Sequence, residues 1–430
     1  MRYGLIGEKL GHSLSVPIHE ALYRHASIDA TYDLCAIPRA EFSQVAKRLA
    51  WYDGMNVTVP YKKEIMPYLD EIAPSAQAVG AVNTVVKRNG KTIGYNTDVE
   101  GFGEMLRRGG VDVQGKSCTV IGSGGASLAV VYYLLSQGAK VCVVSRTPAP
   151  YPLTGAVCVG YDEIPLQGDL LVNTTPVGMY PDVDSCVVTE RQIVGYDTVA
   201  DIVYNPMCTR LLRIASGLGK RVLNGLYMLV AQAVAAERLW QDRSWDDSLT
   251  RAIFGHVKAG FADTHGGNLY LIGMSGCGKT TLGKALAERT GKAYVDTDDL
   301  VVQRSGKSIA QLFAQGEAVF REQERLAILQ ASQLQNAIVA TGGGAILSDA
   351  NLGAMQTTGI VCLIDRPIQA IAQSCDRQSR PLLQKDADAL YRIYESRAAR
   401  YAFAADVTVN NAESPQQALD ELIAIMGVSL

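Results

Sequence analysis

The chain predicts an α/β fold, and three observations carry that expectation. Short apolar runs alternate with amphipathic helical patterns, two glycine-rich loops each stand between an apolar run and a helical pattern, and 430 residues exceed what one ordinary core fills. Strand-like runs lie at 2–7, 30–36, 54–59, 118–121, 140–145, 170–173 and 198–201. A second group follows at 269–272, 293–296, 337–340 and 360–364. Their alternation with helical stretches points to parallel sheets covered by helices. Between the two groups, residues 256–267 lack sustained periodicity and are expected to form a linker.

Bulk properties narrow the function classes. A net charge of −3 gives no electrostatic footprint for nucleic acid or an acidic membrane, so small-molecule chemistry is expected. The nine cysteines stand singly, without a C-x-x-C pair or zinc-finger spacing, as reduced thiols of a cytosolic protein do. The N-terminal residues reach Glu8 too early for a signal peptide, and the apolar stretch at 226–236 is too short to span a bilayer. A cytoplasmic protein without membrane or nucleic-acid partners is expected.

The first glycine loop, Gly122-Ser123-Gly124-Gly125-Ala126-Ser127, follows the apolar run Thr119-Val120-Ile121 and opens a helical pattern at 128–137. It is a Rossmann-type turn in a variant spacing. The next strand-like run ends at Ser145-Arg146-Thr147, where an arginine suits the extra phosphate of NADP and is equally a solvated strand-end cation. Four polar clusters precede this loop: Gly11-His12-Ser13-Leu14-Ser15, the block Asn56-Val57-Thr58-Val59-Pro60-Tyr61-Lys62, Gly80-Ala81-Val82-Asn83-Thr84, and Asn96-Thr97-Asp98. Singly these are caps, turns and a solvated lysine; together they suit a small polyhydroxy acid.

With Asn173-Thr174-Thr175-Pro176, Asp201-Ile202-Val203-Tyr204-Asn205-Pro206 and Asn224-Gly225-Leu226-Tyr227-Met228 through Gln232, these blocks occur in the order found in shikimate dehydrogenases. Residues 1–255 resemble that family. The resemblance implies a two-lobed dehydrogenase, with 1–100 and 224–255 as substrate lobe and 101–223 as an NADP-binding Rossmann lobe. It implies that Ser13 and Ser15 hold a carboxylate and that Thr58, Asn83, Asp98, Gln232 and Tyr204 contact the rest of the substrate. Lys62 and Asp98 would be the catalytic pair, because ketone reduction needs a proton for the developing alkoxide. Gly122, Gly124, Gly125, Ala126, Arg146, Thr147 and Gly225 would bind NADP(H). The chain departs from the family at Ser145, where asparagine is usual, and at 148–151, which lacks a second arginine.

The second loop, Gly273-Met274-Ser275-Gly276-Cys277-Gly278-Lys279-Thr280, fits G-x4-G-K-[ST] between a strand-like run and a helical pattern. This is a P-loop: its backbone N–H groups surround phosphate, Lys279 reaches the β and γ oxygens, and Thr280 ligates magnesium. Asp296 and Asp298 follow at a strand end, placed for magnesium and for an attacking hydroxyl, or for capping the next helix. Then come Gly316-Glu317-Ala318-Val319-Phe320-Arg321, Thr341-Gly342-Gly343-Gly344, Arg380-Pro381-Leu382-Leu383 and Arg397 through Tyr401. This set resembles shikimate kinase over about 268–420, which implies a P-loop kinase domain with a parallel sheet at 268–430. The resemblance implies catalytic roles for Lys279, Asp298 and Arg380, and substrate contacts from Arg321, Gly343, Gly344 and Arg397. It further implies ATP contacts from Gly276, Gly278 and Thr281, and Mg2+ at Thr280 and Asp296. The usual arginine upstream of Arg380 is missing.

The leading expectation is a bifunctional enzyme that makes shikimate with NADPH and phosphorylates it with MgATP. Two alternatives stand beside it: an NAD-dependent quinate/shikimate dehydrogenase fused to a kinase, and a ligand-sensing regulatory protein built from the same domains. The sensor should have lost chemical residues, whereas Lys62, Asp98, Lys279, Thr280, Asp296 and Asp298 are all present.

Overall fold

The structure, a computed structural model, describes residues 1–11, 13–374 and 389–426. By compactness the chain divides into two units, Met1–Ala215 with Leu223–Val257, and Ser216–Val222 with Lys258–Leu430.

The first unit opens with a six-stranded sheet built from β1 (Arg2–Gly7), β2 (Thr31–Ala36), β3 (Gly54–Val57), β4 (Glu71–Ile72), β5 (Thr84–Arg88) and β6 (Lys91–Tyr95). Their order is β2-β1-β3-β5-β6-β4. The first three are parallel, as the alternating pattern predicts, but β5 pairs antiparallel with both β3 and β6. The sequence reading missed this hairpin. Its turn, Asn89-Gly90, has both residues at positive φ, the signature of a tight two-residue connection. Ile6, Met55, Val57, Tyr61 and Val85 form the core on this sheet.

A second sheet runs β12-β11-β10-β7-β8-β9, from β7 (Ser117–Ile121), β8 (Lys140–Val144), β9 (Ala156–Val159), β10 (Gly168–Asn173), β11 (Tyr196–Asp201) and β12 (Arg221–Asn224). The pairs β10·β11, β10·β7, β7·β8 and β8·β9 are parallel. Val120, Val143, Leu170 and Val172 are buried, as central parallel strands require.

Two helices of this unit pack closely against each other. Helix Asp98–Arg108 buries Phe102, Met105 and Leu106 at helical spacing, with acids in its first turn and arginines in its last, matching the helix dipole. It packs against helix Leu226–Gln241 so closely that a Cβ on Gly101 would lie 2.7 Å from Met228 O and 2.9 Å from Gln232 Cβ.

The expected linker is not irregular. Helix Asp247–Thr264 runs through most of 256–267, and Ile253, Phe254 and Val257 lie in the core of the first unit. Lys258, Phe261 and Ala262, which follow, are buried as well. The weak periodicity of 256–267 has a physical cause: burial at successive positions replaces the single apolar stripe from which a surface helix is read.

The second unit holds β13 (Asn268–Ile272), β14 (Ala293–Asp296), β15 (Ala337–Ala340), β16 (Gly359–Asp365) and β17 (Val407–Asn410), in the order β14-β15-β13-β16-β17. All four pairings are parallel. Central β13 is buried along its length, and the glycine loop leaves its C-terminal end, where open α/β sheets bind ligands.

Candidate active sites

In the first unit, the chain after β3 turns at Thr58, whose carbonyl accepts the Tyr61 N–H at 2.9 Å, and this turn delivers Lys62. Asp98 opens its helix with its backbone N–H donated to Asn96 Oδ1 at 3.1 Å. The two side chains meet: Lys62 Nζ donates to Asp98 Oδ2 at 2.6 Å, both largely buried. The other carboxylate oxygen accepts from Asn83 Nδ2 at 2.9 Å, and that amide also lies 3.5 Å from Gln232 Oε1. Lys62, Asp98, Asn83 and Gln232 therefore form one cluster drawn from four segments. Ser13 Oγ donates to Ser15 Oγ at 3.0 Å at the start of helix Ser15–Ala26. Tyr204 is half-buried against the main core, and burial pushes its phenol pKa up.

The first glycine loop leaves β7 through Gly122 at φ +111° and enters helix Gly125–Ser136, with Ala126 in the first turn. Ser123 Oγ lies 3.0 Å from Ser145 Oγ at the end of β8, while Arg146 and Thr147 are exposed. A Cβ on Gly125 would come 3.8 Å from Lys62 Cδ, so the loop faces the lysine with no side chain between them. Gly225 precedes helix Leu226–Gln241, and a Cβ there would lie 2.1 Å from Ile202 O, so close backbone packing is itself a reason for glycine.

In the second unit, Lys279 folds over its loop and donates to Gly273 O and Met274 O, both at 2.9 Å. Gly276 and Gly278 have positive φ, and Thr280 and Thr281 stand in the first turn of helix Lys279–Thr290. Thr280 Oγ1 donates to Asp296 Oδ2 at 3.3 Å. Asp296 also caps helix Thr297–Ser305 by accepting the Asp298 N–H at 3.0 Å; the helix starts earlier than the pattern suggests, so Asp298 stands inside its first turn and does not cap it. Asp298 is pushed up to about 6, first by burial, then by the carboxylates of Asp296 and Glu324; Lys279 opposes the shift.

Around Asp298 stands the rest of the expected set. Arg321 donates to Glu324 Oε2 at 2.8 Å and to Glu317 Oε1 at 2.9 Å. Its guanidinium lies on Gly344, where a Cβ would come 2.1 Å from Nη1. Gly343 O accepts from Arg397 Nη1 at 3.1 Å and from Tyr401 Oη at 2.5 Å. A Cβ on Gly342 would touch both Asp298 Oδ1 and Glu324 Oε1 at under 3 Å, so the triple glycine brings these two acids to one wall. Arg380 and most of the stretch with the missing arginine lie outside the described residues.

Comparison with known proteins decides the family. The profile described as shikimate dehydrogenase substrate binding domain matches residues 5–85, and the one described as shikimate kinase matches 275–426. The shikimate dehydrogenase (NADP(+)) of Clostridium beijerinckii is 40% identical over 259 residues, which cover 59% of this chain and 96% of that protein. The chain belongs to the shikimate dehydrogenase family. Its C-terminal part is a shikimate kinase domain, which makes the protein a fusion of two shikimate-pathway enzymes. Solved structures agree over the dehydrogenase part. Shikimate dehydrogenase 1 from Peptoclostridium difficile is 39% identical, with a TM-score of 0.58 over 60% of this chain and 98% of that one. The enzyme from Thermus thermophilus, solved in complex with NADP(H) and shikimate, is 32% identical, with a TM-score of 0.54 over 60% and 99%.

NADP, ATP and magnesium are the cofactors that the dehydrogenase and kinase domains call for, and the residues present fit them. Glycine at 122, 124 and 125 leaves the turn after β7 free of side chains, as the close approach of a dinucleotide's phosphates requires, and Thr280 with Asp296 is a hydroxyl and carboxylate pair of the kind magnesium takes. Sequence reasoning assigned no role to three residues of these sites. Thr97 Oγ1 accepts from Asn83 at 3.0 Å, Tyr401 holds Gly343, and Glu324 pairs with Arg321. Glu324 had a readable signal, since it follows Arg321 at i+3 on one helix. Among the described residues, no helix is long and apolar enough to cross a membrane.

Proposed function

We propose that this enzyme reduces 3-dehydroshikimate to shikimate with NADPH, then transfers a phosphoryl group from MgATP to the 3-hydroxyl of shikimate. The observation that carries the reading is the pairing of Lys62 with Asp98, locked by Asn83, in a chain that also sets Asp298 beside a P-loop. The alcohol made by the first reaction is then the nucleophile of the second.

Bound NADPH supplies a hydride to the carbonyl carbon. Lys62 gives the proton that the carbonyl oxygen takes up, and Asp98 orients the ammonium that gives it. Asn83 and Gln232 orient ring hydroxyls, Ser13 and Ser15 hold the carboxylate, and Thr58 and Tyr204 complete the wall. Gly122, Gly124, Gly125 and Ala126 admit the dinucleotide backbone, with Arg146 and Thr147 at its adenosine end.

In the kinase domain, ATP with magnesium supplies the phosphoryl group. Asp298 accepts the proton of the attacking hydroxyl, Arg321 and Arg397 clamp the shikimate carboxylate, and Lys279 neutralises phosphate charge. Asp296 and Thr280 are the metal-side residues, and Arg380 belongs to the phosphoryl-transfer set through the family motif alone.

One coupled assay tests the reading: dehydroshikimate and ATP with either NADPH or NADH, following nucleotide oxidation and ADP formation. The proposal expects NADPH oxidation first and ADP release after it. Faster oxidation of NADH would establish the NAD-dependent alternative, and ligand binding without turnover would establish the sensor.

A further inference from the structure

The phosphate loop of the kinase domain is gripped through its carbonyl oxygens from two sides. Lys279 Nζ takes Gly273 O and Met274 O, as described above. Two further side chains, neither used by the reaction, take carbonyls further along the loop. Arg366, the residue after β16, donates from Nη1 to Gly276 O at 3.3 Å. Asn411, the residue after β17, donates from Nδ2 to Cys277 O at 2.8 Å. Asn411 is only 7% exposed, and its own backbone N–H donates to Asp365 O at 2.7 Å, so the amide is anchored to the end of the neighbouring strand.

The consequence follows from peptide planarity. The Cys277 carbonyl and the Gly278 N–H are opposite ends of one planar trans unit, so a donor holding the carbonyl on one side turns the N–H to the other. In a P-loop that other side is the phosphate face, where backbone N–H groups collect the β-phosphate. Gly278 makes the grip possible: its φ is +108°, and a Cβ there would stand 2.6 Å from Asn411 Nδ2. Only glycine accepts both that backbone conformation and that close approach.

We infer that Asn411 is a positioning residue for the nucleotide phosphates, holding the Cys277–Gly278 peptide so that its N–H is preset toward the β-phosphate. The inference rests on the ATP-dependent kinase reading of this domain. It assigns the residue to ATP and ADP recognition, with no part in holding shikimate.

Asn411→Asp tests it in the full chain, because the side chain keeps its shape but, ionised, has no donor and sets a carboxylate against the Cys277 carbonyl. Asn411→Ala removes the group altogether. The measurements are KM for ATP, KM for shikimate, calorimetric affinity for ADP, and the NADPH-dependent rate of the same chain as an internal gauge of active protein. In both variants KM for ATP and Kd for ADP are expected to rise about tenfold, the effect of one buried hydrogen bond. KM for shikimate should stay within about twofold, and the dehydrogenase rate should be unchanged. An Asn411→Asp variant with wild-type ATP and ADP affinity overturns the inference. So does an equal rise of both KM values, or loss of the kinase thermal transition in both variants, since each marks a merely structural role. Failure of the wild-type chain to release ADP with shikimate present would instead remove the kinase reading beneath it.

Discussion

Asp298 shows how one residue's surroundings set both its chemistry and its cost. Burial and the neighbouring acids Asp296 and Glu324 raise its carboxyl to about 6. In its proposed role as base Asp298 must be deprotonated, so phosphoryl transfer should hold above pH 6 and fall roughly tenfold per unit below it, as a kcat/KM profile for shikimate would record. The stability effect has the opposite sense. The folded state binds this proton more tightly than the unfolded chain does, so the group favours folding at low pH, and that contribution is lost as pH rises through about 6. Asp298→Asn is therefore expected to lower kcat by roughly 10² to 10⁴ while raising the melting temperature of the kinase domain near pH 8. Lys62→Ala is expected to abolish NADPH oxidation and leave ADP formation intact; Lys279→Ala should do the converse. Parallel loss of both activities in either variant would count against separate sites.

Single elements matter through how closely they approach. Helix Asp98–Arg108 carries Asp98 and helix Leu226–Gln241 carries Gln232, and Gly101 lets the two helices meet. The added methyl of Gly101→Ala would press on Met228 O and on Gln232 itself. Overpacking of this kind costs about 1–3 kcal/mol, and sub-ångström displacement at a reacting centre is enough to lower turnover. The expected outcome is a dehydrogenase rate at least tenfold lower, with the kinase rate unchanged, read in the same coupled assay. The β5–β6 hairpin acts at the same scale. By pairing antiparallel with β3, it brings Asn83, just before β5, and Asp98, just after β6, to the side where Lys62 leaves β3.

Across the whole molecule, the two clusters of candidate site residues fall in separate compact units, and the segment expected as a linker is helical over 256–264 with several buried positions. Within the second unit, Lys258 Nζ pairs with Asp406 Oδ2 at 2.6 Å, both side chains almost fully buried, and the same oxygen accepts the Val361 N–H at 2.9 Å. Breaking a buried pair from one side costs about 3–5 kcal/mol. Asp406→Asn is expected to lower the thermal transition of the kinase domain by several degrees while NADPH oxidation at 25 °C is unchanged; calorimetry with both activity assays decides it. A kinase domain cut at residue 268 would lack Lys258 and should show the same weakness.

The sequence by itself determined the α/β class, both glycine loops and most strands, and it named Lys62, Asp98, Asn83 and Gln232 as candidates before the structure brought them together. Those features are local: strand periodicity, glycine between strand and helix, and motif order are all written within a few residues of one another. Only the tertiary structure decided that Lys62 meets Asp98 across 36 residues and that Asn83 comes to Gln232 across 149. It also decided that β5 runs antiparallel, that 256–264 is helical, and that Glu324 and Asn411 stand at the kinase site. These depend on sheet order, on helix approach distance and on burial from several directions. None of them leaves a periodic trace along the chain.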